Sequence, residues 1–342
     1  MNRSYGVCRK GVSLFLIVPV LLLGFLGAQG WAQMTKVTLG VEFVNARVTP
    51  LWLAEKEGFF KKQGIDLKAL QISGGTQGAQ ALVSGQIDAS YSAPAAFIPA
   101  IAAGAPMVEV MSITATMPYY LVGARGIKSV ADLKGKTVGS SGLGLSASRL
   151  AILVAFGRLG LDPVRDKITL VAAGAEPERI AGVASGAISG SVVAPEFRTK
   201  VEQLGVTVLA DLRTMNIPWE NDALATSRKF LQSNRDAVER MVKALLEGNA
   251  YILTPANRSQ VLEILMSRLG LKTAQEATGA YDDLVKYYIQ KKPYPNREGL
   301  QTILTEVGKI VPKAASLKFE DVADSSIVER LDKSGYIDSL YK

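Results

Sequence analysis

The 342-residue chain contains no histidine and a single cysteine, Cys8. Without histidine it lacks the side chain that ordinarily titrates nearest neutrality, and with it the commonest metal-binding nitrogen. One thiol can neither close an intramolecular disulfide nor build a thiolate metal site. A carboxylate or lysine mechanism remains open on composition alone. No run of basic residues interleaved with aromatics appears, which argues against nucleic acid as a partner. Beyond the first thirty residues, long hydrophobic runs are missing too. Every later apolar stretch is broken by charge, Gly or Pro within about ten residues, well short of the roughly 20 needed to cross a bilayer. At 48% apolar and 20% charged residues, the composition is that of a chain that buries one or two full cores.

The N-terminus reads differently. Arg3, Arg9 and Lys10 precede a charge-free apolar run from Val12 to Leu26, and small residues follow. That order predicts a secretory signal peptide over residues 1–32, cut after Ala32 to leave Gln33 first, with Ala28 as the second choice. The run is too short for a membrane anchor and Pro19 interrupts it. Cys8 comes too early for lipid attachment. Cleavage would remove three basic and no acidic residues, so 39 Lys+Arg becomes 36 against 31 Asp+Glu and the net charge falls from +8 to +5. The remaining mild positive field would favour the arrival of an anionic solute.

Downstream, short β-type runs alternate with helical stretches, which predicts an α/β fold with mostly parallel sheets. One unit has strands at Lys36–Val41, Ile65–Ile72 and Ile87–Tyr91, with helices at Pro50–Lys62 and Thr76–Ser84. A second has strands at Lys136–Ser140, Ile168–Ala172 and Ser189–Val193. Between them Met107–Gly123 reads as a long strand-like crossing, and Asp222–Thr226 as the return. The rest is mainly helical, including Ser233–Leu253, with Ser233 and Asn234 suited to N-capping and Gly248 inside at modest cost, and Thr273–Tyr288.

Loops at the carboxyl ends of parallel strands line the binding crevice of such sheets. Three here are rich in small and hydroxyl residues. In Ser73-Gly74-Gly75-Thr76 the glycines permit close backbone approach and Thr76 can cap a helix. The others are Ser92-Ala93 and Ser140-Ser141-Gly142-Leu143-Gly144-Leu145-Ser146. A facing pair of donor-rich loops suits a small anion or polar group. Gly142 to Ala147 also fits the degenerate dinucleotide fingerprint, but the acidic residue expected after the next strand is missing. Arg47 and Arg198 follow strand ends and suit a carboxylate or sulfonate, or else are solvated surface arginines. Trp52, Tyr119, Tyr120 and Trp219 are candidates for a cleft wall or for core packing.

Several motifs together carry a family resemblance. The run Pro50-Leu51-Trp52-Leu53-Ala54-Glu55-Lys56-Glu57-Gly58-Phe59-Phe60, continuing through Gly64-Ile65-Asp66-Leu67, resembles the opening of the nitrate/sulfonate/taurine-type solute-binding proteins of ABC importers. So do Gly85-Gln86-Ile87-Asp88-Ala89, Asp132-Leu133-Lys134-Gly135-Lys136-Thr137-Val138-Gly139 and Gly335-Tyr336-Ile337-Asp338. The resemblance implies a periplasmic-binding-protein fold: two α/β lobes, two crossing segments and a helical C-terminal tail, with lobe 1 at 33–115 and 219–342 and lobe 2 at 116–218. It implies a small solute in the interlobe cleft, a membrane permease as partner, a monomeric chain in the periplasm, and neither cofactor nor metal. The family's pocket positions fall on Asn45, Arg47, Gly75, Thr76, Ser92, Ala93, Thr114, Ser140, Ser141, Gly142, Leu143, Gly144 and Ala194 through Pro195 to Glu196. The rival readings are a metabolic enzyme on the same fold and a secreted ligand-sensing module. The fold's thiamine-pyrimidine synthase, which consumes its own histidine and needs a cysteine cluster, is excluded by composition.

Overall fold

The computed structural model describes Gly6 and residues 34–342 apart from Ser73 and Leu143. The signal peptide expected over 1–32 and the pocket position Leu143 therefore lie outside the described residues. Among these residues ten strands form two five-stranded sheets. They are β1 (Thr35–Val41), β2 (Ile65–Gln71), β3 (Ala89–Ser92), β4 (Met107–Thr114), β5 (Tyr120–Gly123), β6 (Thr137–Ser140), β7 (Thr169–Ala172), β8 (Gly190–Val193), β9 (Thr207–Asp211) and β10 (Asp222–Ser227). The first sheet runs β2-β1-β3-β10-β4 and the second β7-β6-β8-β5-β9.

Each sheet is mixed rather than parallel throughout, and the odd strand is the same in both. β10 is antiparallel to β3 and β4, and β5 is antiparallel to β8 and β9. These are the first strands after each crossing, and each runs against both of its neighbours. The segment read as one long strand is two, β4 and β5, separated by residues 115–119.

The expected helix over Pro50–Lys62 is broken into Thr49–Lys56 and Phe59–Lys62 by Gly58 in the left-handed region at φ 73°, where glycine alone carries no Cβ penalty. Thr76 does not cap: the helix Gly75–Val83 starts from Gly74 with no side-chain cap. Ser233 ends the helix Arg228–Ser233, which Ser227 caps, and Asn234 makes no side-chain cap bond. The expected helix to Tyr288 is α-helical only over Ala274–Asp283 and closes as a π-turn, Leu284–Tyr288.

Apolar packing follows the two faces of the first sheet. Val37 and Leu39 pack with Leu51, Leu53, Met241 and Leu245 on one side. On the other, a cluster runs from Phe97 and Ile98 through Trp219 and Leu300 to Leu121, Leu150 and Phe156 around the second sheet. No helix among the described residues is long and apolar enough to cross a membrane.

Gly248 has a packing reason. A Cβ there would lie 2.4 Å from the carbonyl oxygen of Pro50, so the helix Arg235–Leu253 can reach the helix Thr49–Lys56 only without it. Alanine would gain about 1 kcal/mol of helix propensity, but forcing apart two backbones costs about 1–3 kcal/mol or more. We expect Gly248→Ala to lower unfolding free energy in urea; a stabilised variant would contradict this packing.

Candidate solute site between the sheets

The buried polar groups of the first sheet gather at one end. Ser92 ends β3, Thr114 ends β4, and Asn221-Asp222 begin β10 between them, with Ser92 opposite Ala223 and Thr114 opposite Asp222. The 3-10 turn Ala46–Val48 follows β1 and is started by Asn45, whose Oδ1 accepts from the Arg47 N–H at 3.1 Å. This turn aims Arg47 inward, where its Nε donates to Asp222 Oδ2 at 2.6 Å and both side chains are buried. Phe43 and Tyr119 lie 5.6 and 5.7 Å from the guanidinium, and Tyr91 OH donates to the Arg47 carbonyl at 2.8 Å. Asp222 and the neighbouring anions hold the guanidinium protonated beyond its ordinary range against the opposing effect of burial.

From the second sheet, the turn Pro195–Phe197 after β8 brings Glu196 against this cluster. Its Oε1 accepts from the Ala46 N–H at 2.8 Å, a bond that joins the two lobes. Burial pushes the Glu196 carboxyl up to about 7, with Arg47 opposing and Glu176 adding to the rise. Ala194 N–H donates to Glu176, and Arg179 donates to the carbonyls of Val192 and Gly174. A second fastening lies at Arg213, after β9, which pairs with Asp211 and with Asp283 of the first lobe and sits 4.9 and 4.5 Å from the rings of Tyr120 and Tyr287.

Within this cluster Arg47 Nη1, Ser92 Oγ, Thr114 Oγ1, Glu196 Oε2, Asn221 Nδ2 and Tyr288 OH are buried without a hydrogen-bond partner from the chain. Buried polar groups in native proteins nearly always have partners. Five of these six atoms lie at one end of the first sheet and on its facing turn, and the sixth, Tyr288 OH, comes from the segment Leu284–Tyr288.

Five of the predicted positions, Asn45, Arg47, Ser92, Thr114 and Glu196, come together here, with Ala93 and Pro195 adjoining. The two glycine-rich loops behave differently. A Cβ on Gly75 would lie 2.0 Å from Ala96 Cβ and 3.0 Å from Glu42 Oε2, so its missing side chain serves helix packing. Thr76 is exposed. Ser140 is buried and its hydroxyl donates to the Gly142 carbonyl at 2.9 Å, while Ser148 holds Ser141 through both backbone and hydroxyl. Gly142 and Gly144 have no neighbours where a Cβ would stand. Arg198 is a surface residue paired with Glu202. Trp52 and Trp219 are core residues. Sequence reading missed Asp222, Asn221, Tyr288 and Glu42 as parts of the site; a charge inside the apolar strand Asp222-Ala-Leu-Ala was the available signal for the first.

Residues 45–257, more than half of the chain, match the family model described as NMT1/THI5 like. The chain belongs to this family. Among curated relatives of this NMT1/THI5-like protein are the 4-amino-5-hydroxymethyl-2-methylpyrimidine phosphate synthases THI12 and THI5 of Saccharomyces cerevisiae, 31% identical over 96 residues, which is 27% of this chain. The chain spans only 28% of the length of those relatives in the match. The fold is shared with the periplasmic nitrate-binding protein NrtA from Synechocystis PCC 6803, at TM-score 0.72 and 14% identity over 91% of each chain. It is also shared with the ligand-binding component of an ABC-type import system from Staphylococcus aureus, at TM-score 0.71 and 15% identity over 86% of this chain and 98% of that one. The periplasmic-binding-protein architecture expected from the motifs is thus the one observed.

Two measurements probe this cluster. Leaving one charge of a buried pair alone costs about 3–5 kcal/mol, whereas an apolar replacement of both is near neutral. Asp222→Asn should therefore lower the unfolding free energy strongly, and Arg47→Met with Asp222→Leu should recover most of the loss. The second concerns Glu42, whose Oε1 accepts from Ser90 Oγ at 3.2 Å. Burial, with Asp222 nearby, pushes its carboxyl up to about 8. The native state then keeps a proton that the unfolded chain releases, so this group's contribution to stability falls as pH rises from about 4.5 to 8, by at most about 1.4 kcal/mol per pH unit. Glu42→Gln should gain on the wild type across urea titrations at pH 5, 6.5 and 8; a constant difference would contradict the shift.

Proposed function

We propose that this chain is the extracytoplasmic solute-binding subunit of an ABC importer, and that it captures a small anionic or polar organic solute between its lobes by hinge closure without changing it chemically. The observation that carries this reading is the set of unpartnered buried polar atoms at Arg47, Ser92, Thr114, Glu196, Asn221 and Tyr288. They sit where two sheets meet, beside the two segments that join them among the described residues, 115–119 and 212–221. Asn45, Arg47, Ser92, Thr114 and Glu196 would hold the solute directly, with the Gly75-Thr76 and Ser140–Gly144 loops closing the rim.

In this reading the rotating bodies are residues 33–115 with 219–342, and residues 116–218. The Ala46–Glu196 and Arg213–Asp283 contacts belong to the closed arrangement. A ligand shifts the balance only by binding that arrangement better, and a membrane permease would recognise it in preference to the open form. The basic-apolar-small order of residues 1–32 supports export to the periplasm, where the chain would act as a monomer with solute and permease as its partners. The partial match to the yeast synthases favours an enzyme as second reading. Against it stand the absence of histidine and the placement of the only cysteine at position 8.

Native mass spectrometry of protein purified without refolding should find a bound small molecule, and adding it back should contract the radius of gyration in small-angle scattering. At 100 times its dissociation constant it should add about 2.7 kcal/mol of stability. An unchanged radius at saturation would refute closure, and recovery of a converted product would establish the enzyme. N-terminal sequencing from the native host should return Gln33 first.

A further inference from the structure

Charge around the cleft is already balanced from within. Arg47 faces Asp222 at 2.6 Å, and Arg179 lies 3.8 Å from Glu176 with its N–H groups turned to the carbonyls of Val192 and Gly174. Against these two cations stand three carboxyl groups, Asp222, Glu176 and Glu196. A bare oxyanion entering here would find no uncompensated positive charge and three acidic neighbours.

Glu196 is unusual among these groups. It is 6% exposed, and its two oxygens face different tasks. Oε1 accepts the Ala46 N–H of the other lobe, while Oε2 has no partner. Arg47, Glu176 and Tyr288 act on it electrostatically from the turn Ala46–Val48, the helix Glu176–Ser185 and the π-turn Leu284–Tyr288. The helix Ala274–Asp283 also packs on the Glu196 turn, bringing Asp283, which pairs with Arg213.

Resting on the solute-binding reading above, we infer that Glu196 is the specificity-determining residue of the cleft and that the solute presents an N–H donor to its Oε2, as an amine, amidine or amino-substituted ring does and nitrate or a simple sulfonate does not. A donor on Oε2 favours the ionised carboxylate, which accepts more strongly from Ala46 through Oε1. One side chain thereby reads the solute and tightens the bond between the lobes. The other polar end of such a solute meets Arg47 Nη1, so a molecule with a donor edge and an acceptor edge suits the site better than a charge of either sign alone.

The test uses the whole mature chain and six probes in thermal-shift and calorimetric titrations at up to 10 mM: benzamidine, cytosine and putrescine as donors, and nitrate, ethanesulfonate and acetate as oxyanions. At least one donor probe should raise the melting temperature and the oxyanions should not. Glu196→Gln puts an amide in place of the carboxylate and keeps an acceptor for Ala46. It should lose at least tenfold in affinity for that probe while its circular dichroism and melting without probe stay as in the wild type, and Glu196→Asp should regain part of the loss. Because burial lifts the Glu196 carboxyl to about 7, affinity for the permanently charged benzamidinium should rise between pH 6 and 8 in the wild type and stay flat in Glu196→Gln. Binding of an oxyanion with no donor probe bound, or unchanged donor affinity in Glu196→Gln, overturns this inference and leaves the solute-binding reading standing. Failure of every donor probe to alter melting overturns this inference, and the solute-binding reading falls with it only if native mass spectrometry also finds no bound small molecule.

Discussion

The ion pair between Arg47 and Asp222 is the constraint around which the rest is arranged. Each partner by itself would be an untenable buried charge, so the turn after β1 and the start of β10 have to arrive together, across 175 residues of sequence. When they do, Asn45 fixes the turn, the Tyr91 hydroxyl donates to the Arg47 carbonyl, and β10 is clamped between β3 and β4. The ends of those strands then carry Ser92 and Thr114 to the same level as Asn221.

A similar logic holds the return segment in place before it becomes β10. Glu220 accepts from Ser112 Oγ and from the Asn296 N–H, both at 2.7 Å, and burial raises its carboxyl well above the ordinary range. Trp219 packs beneath, and Gly299 admits it: a Cβ there would lie 2.4 Å from the Trp219 carbonyl carbon. The segment that must flex if the lobes rotate is therefore anchored on its first-lobe side within two residues of Asp222. In the proposed closure, bending would fall on the residues before Trp219.

What could be read from the sequence is what depends on neighbours along the chain. Strand positions in both units and the loop residues Asn45, Ser92, Thr114 and Glu196 follow from alternating apolar runs and recognisable motifs, whereas the break at 115–119 falls inside a stretch that reads as one strand. What could not be read depends on partners far apart. Arg47 was equally a surface arginine until Asp222 was placed beside it. Gly75 was equally a ligand-facing glycine until Ala96 and Glu42 filled its empty side. Tyr288 lies in a stretch with helical periodicity, and only the widening to a π-turn, a feature frequent at functional sites, sets its hydroxyl into the cleft. The direction of β5 and β10 was hidden for the same reason, since periodicity reports burial and not polarity.

The strand pairing across the crossings has a mechanical consequence. Thr114 and Asp222, the last residue before the chain leaves the first sheet and the first after it returns, are register partners. Tyr120 and Asp211, which bound the second sheet's strands on the far side, are register partners too. Both connectors thus leave from one rung of a ladder and land on one rung of another. Two short struts with ends pinned side by side resist sliding and stretching but yield to twist and bend about the line between them. In the proposed closure such a joint would let the second body swing like a shutter, and its residues 120–211, with ends abutting, have the topology of a piece spliced in between two register partners of the first.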